Sequence, residues 1–283
     1  AGYAEVVIVY RALNGRSGRR YGTPEASKAV GSGGQLHYAM GLDTGGKSYA
    51  AETQAYMRKY GVTSEDLGRY VVATRALAAT NPRSMFFGQP LSLADHQSSR
   101  WIVEPWLRRF DCCLESDGGA ALVVTSQDAA KALGKAPVAI LGAGQAHGMG
   151  RRIAYDVYRS DAELAAEKLA LVTDLTAQAG FAPHEADVAL LYDAFSPAVF
   201  TALEDFGICA PGEARDFINA GQTGIGGRMP VNPNGGLIGE AYMHGLNNII
   251  EAVRQLRGEA ANQVQDAQTA LCTGGGALML GLI

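Results

Sequence analysis

Val231-Asn-Pro-Asn234-Gly235-Gly236-Leu-Ile-Gly239-Glu-Ala241-Tyr242-Met243-His244-Gly245-Leu246-Asn-Asn248 is the stretch that decides the fold. A polar approach, a glycine pair, a lone tyrosine and an apolar-periodic run succeed one another, the pattern of a strand or loop turning into a buried helix beside a ligand. Glycines at 235, 236, 239 and 245 leave the backbone free to approach something closely or to take positive φ. The helix that follows carries Leu246, Ile249, Ile250, Val253 and Leu256 on one stripe, which needs a core to pack against. Tyr242 is expected to stand on that rigid base, next to a pocket.

Outward from this stretch, Val188–Tyr192 reads as a strand, with Tyr192 where it meets the next turn and helix, a usual place for a site residue in an α/β fold. The long helix Ala162–Gly180 shows helical apolar spacing. Earlier helices are predicted from Tyr49 to Tyr60, ended by Gly61, from an N-cap at Thr63 to Ala79, and from Gln127 to Leu133. Glu5–Tyr10, a β-branched run, and Asp117–Val124, which leads from a glycine pair into apolar residues, are predicted as buried strands. The glycine loop 142–150 lacks both dinucleotide spacing and a Walker lysine. His37, His96, His147, His184 and His244 share no metal-ligand spacing, so no metal is expected; His244 alone is placed to line the pocket. Trp101 and Trp106 read as packing residues.

Composition narrows the class. With 283 residues, 47% hydrophobic and 18% charged, the chain is globular and long enough for one large or two ordinary domains. A net charge of -4 argues against a nucleic-acid surface, which needs clustered positive charge. No apolar run reaches membrane-spanning length, no signal-peptide pattern opens the chain, and the four cysteines form neither a disulfide framework nor a zinc pattern. A cytoplasmic location is the expectation.

Three segments carry a resemblance. Asn232 to Gly245 resembles the thiolase-superfamily segment in which a glycine pair precedes Gly-His-Pro, with Ala241, Tyr242 and Met243 in those three positions. Leu271-Cys272-Thr273-Gly274-Gly275-Gly276 resembles the C-terminal Cys-x-Gly-Gly-Gly signature. Tyr192-Asp193-Ala194-Phe195-Ser196 resembles the His-Asp-Cys-Phe-Ser block of sterol-carrier-protein-x thiolases and the Asn-Glu-Ala-Phe block of others. Tyrosines in the histidine and asparagine positions resemble the lipid-transfer-protein aldolases of steroid side-chain degradation. The resemblance implies an α/β thiolase-like layered fold of two similar halves. Residues 1–134 form an N-terminal half, incomplete at its start, with a helical loop insertion over about 37–105, and residues 135–283 form the C-terminal half. It implies that the segment bearing the thiolase nucleophile precedes Ala1. It also implies a homodimer core and an OB-fold (DUF35-type) partner completing a heterotetramer.

A thiolase needs a thiolate, an acid-base cysteine and a histidine. Cys272 is present and the histidine is not. A tyrosine, ionising near about 10, is poorly suited to activate a thiol but can donate to an oxyanion or exchange a proton with an alcohol. Tyr192, Tyr242 and Cys272 are the catalytic candidates. Gly274 (through its backbone N–H), His244 and Asp193 are the oxyanion or substrate-binding candidates. Each tyrosine alone is more often a packing residue, and Cys272 can equally be an inert buried thiol. Three functions stay open: retro-aldol cleavage of a steroid β-hydroxyacyl-CoA to a ring ketone and a short acyl-CoA, thiolase action on a β-ketoacyl-CoA, and non-catalytic acyl-CoA or lipid binding. No cofactor is expected beyond the coenzyme A of the substrate.

Overall fold

Helices in this chain begin where a side chain can satisfy the free N–H groups of the first turn. The computed structural model describes residues 4–18, 20, 39, 41–133, 136–146, 161–274 and 276–282. After strand β1 (Val6–Asn14), Thr44 accepts from Lys47 N to start α1 (Gly45–Tyr60), which ends on Gly61 at φ 67°. Thr63 and Asp66 cap each other's backbone to open α2 (Ser64–Thr80), and Ser92 with Asp95 does the same for α3 (Leu93–Ser98). A small hairpin follows, β2 (Trp101–Val103) against β3 (Leu107–Arg108), then β4 (Asp117–Thr125) and α4 (Gln127–Ala132).

Beyond them lie β5 (Val138–Gly144), α5 (Asp161–Ala179), β6 (Val188–Leu190), α6 (Pro197–Asp205) and α7 (Ala214–Asn219). The chain closes with α8 (Gly236–Gly239), α9 (Leu246–Leu256), β7 (Thr269–Thr273) and β8 (Ala277–Leu282). Four strands make one mixed sheet in the order β5-β8-β7-β6, antiparallel except for β6 beside β7. Successive side chains of a strand point to opposite faces. Accordingly Ala189, Leu271 and Met279 join Leu175 of α5 in one core, while Val188, Leu190, Ala270 and Cys272 join Ala252 and Leu256 of α9 in another. A helix layer on each face of a sheet is the layered α/β architecture expected. The junction at 134/135, the Gly31–Gly34 segment, His37 and His147 lie outside the described residues.

Two expectations fail. Strands β1 and β4 are not buried: Ile8, Tyr10 and Val123 are 66%, 75% and 61% exposed. They pair along their whole length, Val6 opposite Thr125 through Asn14 opposite Asp117, but among the described residues neither pairs with a third strand. A ribbon two strands wide has no interior, whatever its β-branched content. The second failure is α9. Its most deeply buried side chains include Asn248, Glu251 and Gln255, whereas Ile249, Ile250 and Val253 are half-buried. The polar stripe is covered because it finds partners: Gln255 Nε2 donates to Glu251 Oε1 (2.9 Å) and to Asn262 O (2.8 Å), and Gln255 Oε1 accepts from Val264 N (2.8 Å).

Burial, with Glu240 nearby, pushes the Glu251 carboxyl up to about 7. In the unfolded chain it ionises near 4.5, so between these values the folded form holds the extra proton. Its stabilisation is therefore complete below pH 4.5 and lost as pH rises through about 7. Glu251→Gln keeps the acceptor for Gln255 and removes the ionisation. The variant should melt like the parent near pH 4 and higher than the parent near pH 8, by an amount on the order of 2 kcal/mol. Melting curves across this range that stay parallel in parent and variant contradict the assignment.

Candidate active site

Tyr192 lies two residues past the end of β6, and Tyr242 three residues past the end of α8. Although 50 positions apart, their hydroxyl oxygens are 2.9 Å from each other and their rings meet edge to face at 6.5 Å between centroids. Tyr242 is buried and Tyr192 half-buried. Leu237 and Ala194 pack with Tyr242, and Leu13, Cys113 and Phe195 complete the apolar wall around the pair.

Each tyrosine is held through its backbone. Tyr192 N donates to Thr273 Oγ1 of β7 (2.8 Å), and the preceding carbonyl, Leu191 O, accepts from Asn232 Nδ2 (2.9 Å) and Asn248 Nδ2 (3.1 Å). Tyr242 N donates to Ser116 Oγ (3.0 Å). Two residues upstream, the buried Glu240 carboxylate accepts from Asn234 Nδ2 (2.7 Å) and Asn247 Nδ2 (3.0 Å), and Asn247 Oδ1 accepts from Met243 N (3.3 Å). The sequence did not single out Thr273, Ser116, Asn232 or Asn248 for this duty. Thr273 sits inside a quoted motif, but only the β6–β7 register puts its hydroxyl under Tyr192 N.

The glycine pair makes a close approach, to protein rather than to ligand. A Cβ on Gly236 (φ 64°) would stand 2.0 Å from Asp193 Oδ2, and one on Gly235 (φ 104°) 2.6 Å from the Ala78 Cβ of α2. Asp193 itself corrects an expectation. Fully buried, it presents no oxygen to a substrate; Oδ1 accepts from Leu237 N (2.7 Å) and Oδ2 from the Tyr70 hydroxyl (3.3 Å). Burial pushes its carboxyl up to about 7 against those hydrogen bonds.

The remaining candidates separate. His244, exposed and in the left-handed region at φ 53°, sets its ring edge to face against Tyr242 at 4.9 Å. Partial burial and then the positive charge of Arg11 lower its pKa, favouring neutral imidazole. Cys272 is 2% exposed within the apolar layer between β7 and α9, and burial alone pushes its thiol up to about 12. With that environment it packs as a small hydrophobe. Gly274, just past β7, donates its N–H to Gly276 O (2.8 Å). Among the described residues no group of three His, Cys, Asp or Glu side chains could hold a metal ion, and no helix is long and apolar enough to cross a membrane.

Comparison with known proteins bears on this arrangement. Residues 163–281 match the thiolase C-terminal domain-like family model. The chain is 47% identical over 279 residues to a steroid side-chain-cleaving aldolase of Thermomonospora curvata, covering 97% of this chain and 71% of the relative. The chain belongs to the thiolase superfamily, in its aldolase branch. A 17-hydroxy-3-oxo-4-pregnene-20-carboxyl-CoA lyase of Mycobacterium tuberculosis is 42% identical, with 97% of this chain and 72% of the relative covered. The solved Ltp2-ChsH2(DUF35) aldolase superposes with a TM-score of 0.88 at 44% identity, over 99% of this chain and 73% of that one. The chain is thus a carbon-carbon lyase of the thiolase superfamily.

The fit of Gly236 against Asp193 is testable on stability. Gly236→Ala adds a methyl group where there is no room and removes the freedom that φ 64° requires, so it should destabilise by about 2 kcal/mol or more. Gly258→Ala, at φ 69° with nothing within 4 Å, should cost only about 1 kcal/mol. Urea unfolding of both variants reads the difference; equal losses would show that the contact with Asp193 is slack.

Proposed function

We propose that the chain catalyses retro-aldol cleavage of a steroid side-chain β-hydroxyacyl-CoA, giving a 17-ketosteroid and a short acyl-CoA, propionyl- or acetyl-CoA. The observation that carries this reading is the 2.9 Å contact between the Tyr192 and Tyr242 hydroxyls. The printed functions of the two bacterial relatives support the substrate class.

Cleavage needs a proton removed from the tertiary hydroxyl, the C–C bond broken to leave ketone and thioester enolate, and a proton returned to the enolate carbon. A hydrogen-bonded tyrosine pair can do this as a relay. Tyr242 takes the substrate hydroxyl proton while its own proton passes to Tyr192, and Tyr192 gives its proton to the enolate carbon; no net proton is consumed and neither phenol has to accumulate charge. The opposite assignment of the two ends follows the same chemistry. His244, beside Tyr242 and biased to neutral imidazole, is the side chain assigned to the developing thioester oxyanion. Coenzyme A enters as part of the substrate and no further cofactor takes part. We further assign a homodimer core in the cytoplasm, joined by an OB-fold (DUF35-type) partner in a heterotetramer; the composition of the Ltp2-ChsH2(DUF35) complex supports the partner.

The test uses the complete enzyme with 17-hydroxy-3-oxo-4-pregnene-20-carboxyl-CoA, the compound named for the mycobacterial relative. Ketone should appear without added CoA. Tyr192→Phe and Tyr242→Phe should each lower the rate by about 10²- to 10⁴-fold while melting like the parent. Cys272→Ala should keep most of the rate. Near-parental tyrosine variants with a dead Cys272→Ala would replace the aldolase reading by a cysteine-based thiolase, seen as CoA-dependent cleavage of a β-ketoacyl-CoA. Turnover of neither substrate would leave a binding subunit.

A further inference from the structure

Asp193 has no role in the chemistry above, yet it joins the two segments that bring the tyrosines together. On one side it follows Tyr192 directly, and Ala194, the next residue, packs against Tyr242 with its carbonyl accepting from Cys113 N (2.8 Å). On the other side its Oδ1 accepts from Leu237 N at the start of α8, whose side chain also packs against Tyr242. From Leu237 the chain reaches Tyr242 within five residues, through one turn closed by Glu240 N donating to Gly236 O (2.9 Å). Oδ2 is held from α2 by the Tyr70 hydroxyl, itself accepting from Asn232 Nδ2 (3.1 Å). Both carboxyl oxygens therefore face donors, and Gly236 without a Cβ is what lets the α8 turn close onto them.

We propose that Asp193 is the positioning residue of the tyrosine pair, tying the turn that carries Tyr242 to the strand end that carries Tyr192 so that the two hydroxyls stay in contact. The assignment rests on the tyrosine pair being the reaction centre. A relay between two phenols tolerates little separation: a displacement of about 1 Å at a reacting group costs on the order of 10²-fold in rate. Substrate binding does not pass through this carboxylate, so its loss should act on turnover rather than on affinity. Asparagine in its place has the same size but one acceptor instead of two, which loosens one side of the joint without opening a cavity.

The experiment is a double-substitution cycle in the complete enzyme with the steroid thioester above. Asp193→Asn should lower kcat by about 10- to 100-fold, leave KM within about twofold and remain folded by melting. In the Tyr242→Phe background, where the relay is already broken, Asp193→Asn should cost less than about threefold. A merely structural carboxylate would give the same proportional loss in both backgrounds, and that outcome, or a parental kcat, overturns the proposal. Should Asp193→Asn fail to fold, Tyr70→Phe serves in its place. It removes one donor to the carboxylate and should cost about 3- to 10-fold in kcat, again only where Tyr242 is intact; an equal loss in both backgrounds again overturns it. Full activity of Tyr242→Phe alone sinks the tyrosine reading and this assignment together. A Tyr242-dependent rate with an uncoupled Asp193 sinks only this one.

Discussion

A polar group removed from water must find a partner inside, and the interior of this protein is arranged around that requirement. Between α2, α8 and α9 lie Asn232, Asn234, Asn248, Glu240, Glu251 and Gln255, all buried, together with Asp193. They share partners rather than pairing off, and among the described residues Asn232 Oδ1 is left without one. Asn234 needs Glu240, Glu240 also takes Asn247, and Asn232 and Asn248 converge on the one carbonyl of Leu191. Such a seam constrains geometry more than it adds stability, because each bond nets only about 1 kcal/mol whereas a missing partner costs about 1–3. The conformations it permits are few, and the one observed sets two tyrosine hydroxyls in hydrogen-bond contact.

That constraint explains a difference in chemistry between the site and its motif. The cysteine of the Cys-x-Gly-Gly-Gly signature remains, but its thiol lies in an apolar layer whose burial favours the protonated form. The two tyrosines, by contrast, stand at the edge of a polar seam with their hydroxyls mutually bonded. A phenol gives and takes a proton without first becoming an anion if its neighbour moves at the same time. The tyrosine arrangement suits proton exchange with an alcohol, the step that retro-aldol cleavage needs.

Much of this was legible in the residues. The tyrosine pair followed from two motif positions, the layered fold from the three segments that resemble the thiolases, and the helix start at Ser64 from capping chemistry that acts over three residues, whereas the equally capped helix at Leu93 was not read out of its segment. What was not legible is whatever depends on partners distant in the chain. Periodicity marks Ile249, Ile250 and Val253 as the inward face of α9, yet Asn248, Glu251 and Gln255 go further in, because polar side chains at helical spacing look like a solvent face until their partners are known. The β1 run announces a strand but cannot say what covers it. The glycines at 235 and 236 announce a close approach without naming Ala78 and Asp193 as the neighbours.

The position of the site follows from the sheet. Within β5-β8-β7-β6 the only parallel pair is β6 with β7, and side by side parallel strands end at the same edge. Tyr192 lies just past the carboxyl end of β6 and Thr273 is the last residue of β7, so the bond from Tyr192 N to Thr273 Oγ1 joins the two strand ends. In open α/β sheets the crevice outside such ends is where ligands bind. The strand before it is extended by a bridge from Ala189 to Val231, which delivers the start of the glycine segment to the same edge. From Val231 the chain runs to Tyr242 through a turn packed closely between Ala78 of α2 and Asp193, where Gly235 and Gly236 leave no room for a Cβ. A tyrosine at the end of β6 and a second one after the glycine turn are therefore brought to one crevice by strand register and close packing, and there their hydroxyls bond to each other.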